Sequence, residues 1–442
     1  MRSRLLQNSE RVDAFGAYTR HVNPALGRFL AMAGRDVHFV RASGCTLEDD
    51  RGERWTDFVA GFGALPLGHD PKEVRAAIER HLQAGAPSLL VEALNPSAGA
   101  LAARLVSLAG PTFETAFLCN SGAEAIEAAL KAAMLATGRT KIVYAERGYH
   151  GTTLGALACM GRGAYRDPFA AVVDRLGFVA VPFDDLPALE RALAGGDVAG
   201  FLVEPIQMEA GVRIPSSGYL SAAAALCRKH EAKLMFDEVQ TGLGRTGRLF
   251  AFQHEGVVPD VLVLAKALGG GVVPVGAAVM GEGIWRAAYG SYLRSEIHNT
   301  TLGGNALGCA VAQAVLDVVA DDDFLEGVRA RGERLATRLA ASLSSRRCVS
   351  RIASRGLLGG VELRADHPWT TWEALGLPEL SGHPTSGALV VERLWRRRIL
   401  AQPCGHDWSV VRIEPPLIVD DETIDLFVDA LAEAIGWLER SS

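Results

Sequence analysis

The chain has 442 residues, of which 49% are hydrophobic and 22% charged, with a formal net charge of −6. This length supports a substantial core and two structural lobes, and the weak charge gives no electrostatic ground for a nucleic-acid or anionic-membrane partner. No uninterrupted apolar run approaches the ~18 residues of a membrane span and the N-terminus lacks a signal-peptide core. Together with seven scattered cysteines that form no CxxC pair, this leads us to expect a cytoplasmic protein.

Near the N-terminus, residues 37–40, 46–49 and 54–57 read as short strands, with Asp49-Asp50-Arg51-Gly52 as a hairpin turn. From about residue 70 to 320, apolar runs at 115–119, 142–145, 200–204, 234–239, 261–265 and 275–280 alternate with helical patterns, among them 123–136, 186–194, 221–230 and 306–319. That alternation predicts an α/β architecture, a mostly parallel sheet covered by helices on both faces. A long arginine-rich helical run follows residue 325, then a strand at 356–363, a Trp- and Pro-bearing stretch at 365–384, a helix at 388–398, a strand at 409–414 and a helix at 423–438. The expected organisation is a large domain at 69–325 and a smaller α+β domain built from residues 1–68 and 326–442.

Only six of the 45 basic residues are lysines, and Lys266 ends the apolar run 261–265 just before Leu268-Gly269-Gly270-Gly271. Arginine cannot lose its proton in a protein, whereas a desolvated lysine becomes a neutral nucleophile. A stem lying on apolar surface competes with that reading. Ser121, with Glu124 three residues on, has capping-box spacing, and Gly122 and Ala123 open a helix whose free N–H groups suit a phosphate; most such boxes only cap. Asp237 ends another apolar run and needs a positive partner if buried; a pyridinium nitrogen or an arginine would serve. Tyr149-His150-Gly151 follows the strand at 142–145 and offers a flat ring to a ligand, or simply a core pair. Lys131, four residues after Glu127, reads as a helix-surface ion pair. Glu209 and Arg412 are isolated charges, and the stretch around Trp369 and Trp372 reads as a loop near the site whose place the sequence does not fix. Gly242-Leu243-Gly244-Arg245-Thr246-Gly247 spells GxGxxG, but no helix of the needed length follows, so it reads as a glycine-rich loop rather than a nicotinamide site. An amine, an anion and a phosphate nest at separate strand ends fit one cofactor, pyridoxal 5′-phosphate.

At this point the sequence resembles the class III (omega) pyridoxal-phosphate-dependent aminotransferases of the ornithine, acetylornithine and putrescine group. The resemblance runs from about residue 35 to 435, in the blocks FLCNSGAEAIEAALK, FLVEPIQMEAGV, MFDEVQTGLGRTG, PDVLVLAKALGGG, HNTTLGGNALG and VRIEPPL. It implies pyridoxal-phosphate fold type I. It implies that Lys266 forms the Schiff base, Asp237 pairs with the pyridinium nitrogen, Ser121, Gly122 and Ala123 hold the phosphate, Tyr149 stacks on the ring, Gln240 contacts the ring oxygen and Glu204 supports the cofactor. It also implies a homodimer in which Thr301, or Thr300 beside it, reaches the neighbouring subunit's phosphate. Arg412 would bind the carboxylate of a 2-oxo acid and Glu209 would neutralise it when a terminal amine reacts. Two departures stand out: Met208 replaces the usual glycine beside Glu209, and Phe62 replaces the tyrosine of ornithine-type enzymes, so the donor pocket is expected to be more apolar. The expected activity is ping-pong transfer of an amino group from a primary amine to a 2-oxo acid or aldehyde. An ornithine- or acetylornithine-type transferase, an aminomutase and a decarboxylase on the same fold are the alternatives.

Overall fold

The protein is described by a computed structural model covering residues 8–161, 163–364, 371–373 and 377–440. The strands in chain order are β1 (Phe39–Ser43), β2 (Thr46–Asp49), β3 (Arg54–Asp57), β4 (Phe113–Cys119), β5 (Lys141–Ala145), β6 (Val179–Val181), β7 (Val198–Val203), β8 (Lys233–Asp237), β9 (Val261–Leu264), β10 (Gly276–Gly281), β11 (Val349–Arg355), β12 (Leu358–Leu363), β13 (Ile399–Leu400), β14 (Gln402–Cys404) and β15 (Asp407–Ile413). Seven of them form one sheet in the order β4-β10-β9-β8-β7-β5-β6. Every residue of β7 and of β9 is buried, as helices on both faces require of a parallel sheet.

Two features of this sheet differ from the sequence expectation. Strand β6 escaped notice because it is three residues long and only its last valine is buried. Strand β10 runs antiparallel to both β9 and β4. The link between β9 and β10, residues 265–275, holds only a short 3-10 turn; a parallel return needs a crossover of a dozen residues or more, usually a helix.

The two chain ends meet in smaller sheets. Strand β13 pairs parallel to β3, Ile399 opposite Thr56, in the order β1-β2-β3-β13, and β11-β12-β15-β14 form a second sheet. Strand β11 went unpredicted because its residues are mostly half-exposed and carry two arginines. Helices Asn8–His21 and Pro24–Met32 precede these sheets. Helices Asp322–Leu343 and Asp421–Arg440 pack a core that includes Leu335, Leu339, Phe427 and Leu431. The Phe58 ring stacks on Phe427 at 3.8 Å, tying the segment after β3 to the last helix. Among the described residues, no helix is long and apolar enough to cross a membrane, no cluster suits a metal ion, and the seven cysteines are free.

Candidate active site

Strands β4, β5, β7, β8 and β9 point their carboxyl ends at one place, where open α/β sheets bind ligands. A cavity of about 450 Å³ lies there. Lys266 enters it directly after β9, with φ of 42°, a left-handed conformation uncommon for a side-chain-bearing residue and typical of strained functional positions. Burial lowers its pKa and Arg412 adds to that, while Glu414, Glu209 and Asp237 oppose it. A lysine so placed gives up its proton more readily than one in water.

Asp237 ends β8 and is 4% exposed. Its Oδ2 lies 2.7 Å from Nδ1 of buried His150, and its Oδ1 accepts the Val239 N–H at 3.0 Å. Burial disfavours charge on His150, but the hydrogen bond and charge of Asp237, with Glu204 nearby, outweigh it and raise the imidazole pKa. Glu204, just past β7, accepts the Tyr149 N–H at 2.8 Å; burial pushes its carboxyl up to about 7.

At the end of β4, Ser121 caps helix Gly122–Thr137: its Oγ accepts the Glu124 N–H at 3.2 Å, and Glu124 Oε2 accepts the Asn120 N–H at 2.6 Å. Gly122 and Ala123, whose N–H groups have no intrahelical acceptor, line the cavity. A Cβ on Gly122 would stand 3.0 Å from a Val239 methyl, and one on Gly151, at φ 108°, would stand 2.6 Å from Ala123 Cβ. Both glycines keep this corner open.

A second cluster adjoins the first. Arg412, in β15, is fully buried and forms an ion pair through Nη2 with Glu209 Oε1. Its Nη1 lies 3.5 Å from Glu414 Oε2, and its guanidinium lies 4.9 Å from the Phe62 ring centre. Burial works against the Arg412 charge, yet Glu209 and Glu414 raise its pKa. Gln240 Nε2 donates to both Glu414 oxygens, at 3.2 and 3.0 Å, and so joins the two clusters. Glu209 Oε2 accepts the Gly405 N–H at 2.7 Å. Phe62 belongs to a tight turn in which Ala60, Gly61, Phe62 and Gly63 all have positive φ.

Ser121, Gly122, Ala123, Tyr149, Glu204, Asp237, Gln240 and Lys266 thus share the cavity wall, while Phe62, Glu209 and Arg412 form the adjoining cluster. Thr301 is exposed and does not line the cavity; Thr300 Oγ1 accepts from Asn120 Nδ2 at 2.8 Å. Met208 is fully buried with Ile206, Val212, Leu358, Cys404 and Val410, away from the cavity wall. Lys131 is not the surface partner of Glu127. It donates to the Ile297 carbonyl at 2.9 Å, because Glu127 is taken by Thr153 Oγ1 at 2.6 Å and the Gly155 N–H at 2.9 Å. Arg245 of the glycine-rich loop is buried and donates to the Leu357 carbonyl at 3.0 Å, a structural tie. Trp369 lies outside the described residues; Trp372 packs edge-on against Trp408 at 5.5 Å.

His150, Val239 and Glu414 were not singled out as site residues from the sequence. His150 sits beside Tyr149 in a motif already noticed, and Glu414 lies in the VRIEPPL block, so both had a local signal without a direction. Val239 had none.

Residues 31–435 match the family model described as aminotransferase class-III. The aminotransferase PigE of Serratia sp. (strain ATCC 39006) is 34% identical over 460 residues, covering 97% of this chain and 54% of that protein. The chain therefore spans about half the length of that curated relative. The ornithine aminotransferase from Toxoplasma gondii ME49 superposes with a TM-score of 0.82 at 30% identity, covering 99% of this chain and 97% of that one. An acetylornithine aminotransferase from Elizabethkingia anophelis gives 0.74 at 30% identity, over 91% and 94% of the two chains. A pyridoxal-phosphate-bound amine transaminase from an uncultivated Pseudomonas species gives 0.81 at 26% identity, over 91% and 96%.

Proposed function

Because the chain belongs to the class-III aminotransferase family, whose fold and pyridoxal 5′-phosphate requirement it shares, we propose that it transfers an amino group from a primary amine to a 2-oxo acid or aldehyde. The observation that carries this reading is the meeting of Lys266, the Asp237–His150 pair and the Gly122–Ala123 helix start on one cavity. The residues fit the cofactor: a deep lysine, a buried carboxylate held by a histidine, and a helix start at which glycine keeps the backbone approachable. When bound, it supplies an aldehyde for the amine and a ring that withdraws electrons from the donor carbon.

The chain's own part follows from its geometry. Asp237, oriented by His150, would keep a proton on the ring nitrogen. Lys266 Nζ would hold the cofactor and would accept and return the proton of the donor carbon, a role its lowered pKa suits. Tyr149 and Val239 flank the cavity. Arg412 receives the carboxylate of a 2-oxo acid, and Glu209 neutralises it when an amine without that carboxylate occupies the site. Phe62 has no hydroxyl to recognise an α-amino group, which favours diamines, ω-amino acids and other terminal amines over ornithine.

The reading includes residues 69–325 as the cofactor-binding domain and 1–68 with 326–442 as the smaller one; the pairing of β13 with β3 supports the union of the chain ends. It includes a homodimer in which Thr301 serves the neighbouring protomer's phosphate, supported by its exposure outside its own cavity and by Tyr292 and Leu293, which are 92% and 95% exposed. A cytoplasmic setting accords with seven free cysteines. The test is the absorption spectrum of the purified protein with pyridoxal phosphate. A band near the visible edge that is bleached by a diamine and restored by a 2-oxo acid is expected; a colourless protein overturns the reading.

A further inference from the structure

We infer that Glu414 is a fixed second counter-charge to Arg412 that biases this site against carboxylate-bearing substrates and toward cationic amine donors and uncharged carbonyl acceptors. The inference rests on the transaminase reading above and concerns which substrates that same site prefers.

Arg412 is fully buried between two carboxylates rather than one: Glu209, paired through Nη2, and Glu414, 3.5 Å from Nη1. The two differ in freedom. Glu209 sits at the edge of the cluster, held by its ion pair and the Gly405 N–H at 2.7 Å. Glu414 is fully buried. Its N–H donates to the Phe58 carbonyl at 3.0 Å and Pro415-Pro416 follow it. Both of its oxygens accept from Gln240. Gly63 makes room for it, since a Cβ there would stand 2.5 Å from Glu414 Oε1. Lys266 and buried Arg245 are the other cations near Glu414; Arg245 donates Nη1 to the backbone carbonyls of Leu357 and Pro415, so Arg412 is the cation whose guanidinium approaches the Glu414 carboxylate.

The consequence is electrostatic. When Glu209 withdraws, an incoming carboxylate meets a guanidinium still neutralised by Glu414, and meets the Glu414 charge itself where water does not screen it. A protonated amine meets a guanidinium whose charge is already offset, so it is not repelled as it would be by an unpaired Arg412. Specificity of this kind comes from an element that repels the wrong substrate.

The test measures the two half-reactions of the holoenzyme separately, by the absorption change with 1,4-diaminobutane and with 2-oxoglutarate. Glu414→Gln is expected to lower the KM for 2-oxoglutarate about tenfold and to raise that for the diamine, as loss of a buried charge partner does. Glu414→Asp, which keeps the charge, should retain the wild-type ratio of the two. A measurement on the unaltered enzyme covers the case of a misfolded variant: butanal should show a KM at least about tenfold below that of 2-oxopentanoate, the energetic size of one unpaired charge contact. A reactive wild type with an unchanged KM ratio in Glu414→Gln, or with 2-oxopentanoate binding as tightly as butanal, overturns this inference alone. A wild type inert in both half-reactions overturns it together with the transaminase reading.

Discussion

Nδ1 of His150 lies 2.7 Å from Oδ2 of Asp237, and both side chains are buried. The contact joins the loop after β5 to the end of β8, and with the Val239 N–H on Oδ1 it leaves Asp237 one orientation. His150 acts through Asp237 and is a positioning residue. His150→Ala is expected to weaken pyridoxal phosphate binding about 10- to 100-fold, the size of a lost charge-assisted hydrogen bond. Fluorescence titration of the cofactor measures it; unchanged affinity would show that Asp237 orients itself.

Lys266→Ala should remove the absorption band near the visible edge and lower turnover by about 10³-fold or more, since it deletes both nucleophile and base. Spectra and single-turnover kinetics separate the two losses.

Gly151→Ala is expected to lower stability by about 2 kcal/mol, combining an overpacked contact with a left-handed backbone. Its added Cβ would meet Ala123 Cβ at 2.6 Å, so the helix start should shift and cofactor affinity should fall as well. Urea unfolding with and without cofactor reads both effects.

Burial pushes the Glu204 carboxyl up to about 7 and that of Glu238 up to about 8, from an ordinary value of 4.5. His150 is raised as well. At these groups the folded protein holds protons that the unfolded chain has released, so their contribution to the unfolding free energy falls as pH rises from about 4.5 to 7 for Glu204, with Glu238 extending the window to about 8, while His254, held down to about 4 by burial, contributes in the opposite sense. Glu204→Gln should flatten this slope by at most about 1.4 kcal/mol per pH unit. Urea midpoints of the cofactor-free wild type and Glu204→Gln at pH 5 and pH 8 check the sign: the stability of the wild type relative to the variant should fall as pH rises, and a relative stability that rises with pH contradicts it.

Arg412→Ala leaves Glu209 and Glu414 buried without their cation. It should cost about 3–5 kcal/mol of stability and raise the KM for a 2-oxo acid more than that for an amine donor. Equal changes in both would show that Arg412 has only a structural part.

Much of the fold could be read along the chain because burial on two faces leaves unbroken apolar runs, as in β7 and β9. Strands β6 and β11 lack that mark, one being too short and the other half-exposed. Lys131 and Glu127 have the spacing of a pair, yet each finds its partner elsewhere in the fold. Spacing along a helix states which side chains could meet, not what else competes for them.

The sequence by itself determined the chemistry on offer: a lone lysine after an apolar strand, a carboxylate ending another, and a capped helix start, each recognisable because local patterning places it at a strand or helix end. Only the tertiary structure decided that these ends face one cavity, that His150 holds Asp237, and that Arg412 lies between Glu209 and Glu414. Arg412 and Glu414 are neighbours on the antiparallel strand β15, but the other contacts join residues 87 and more positions apart, and the cavity forms because parallel strands present their carboxyl ends at the same edge of the sheet.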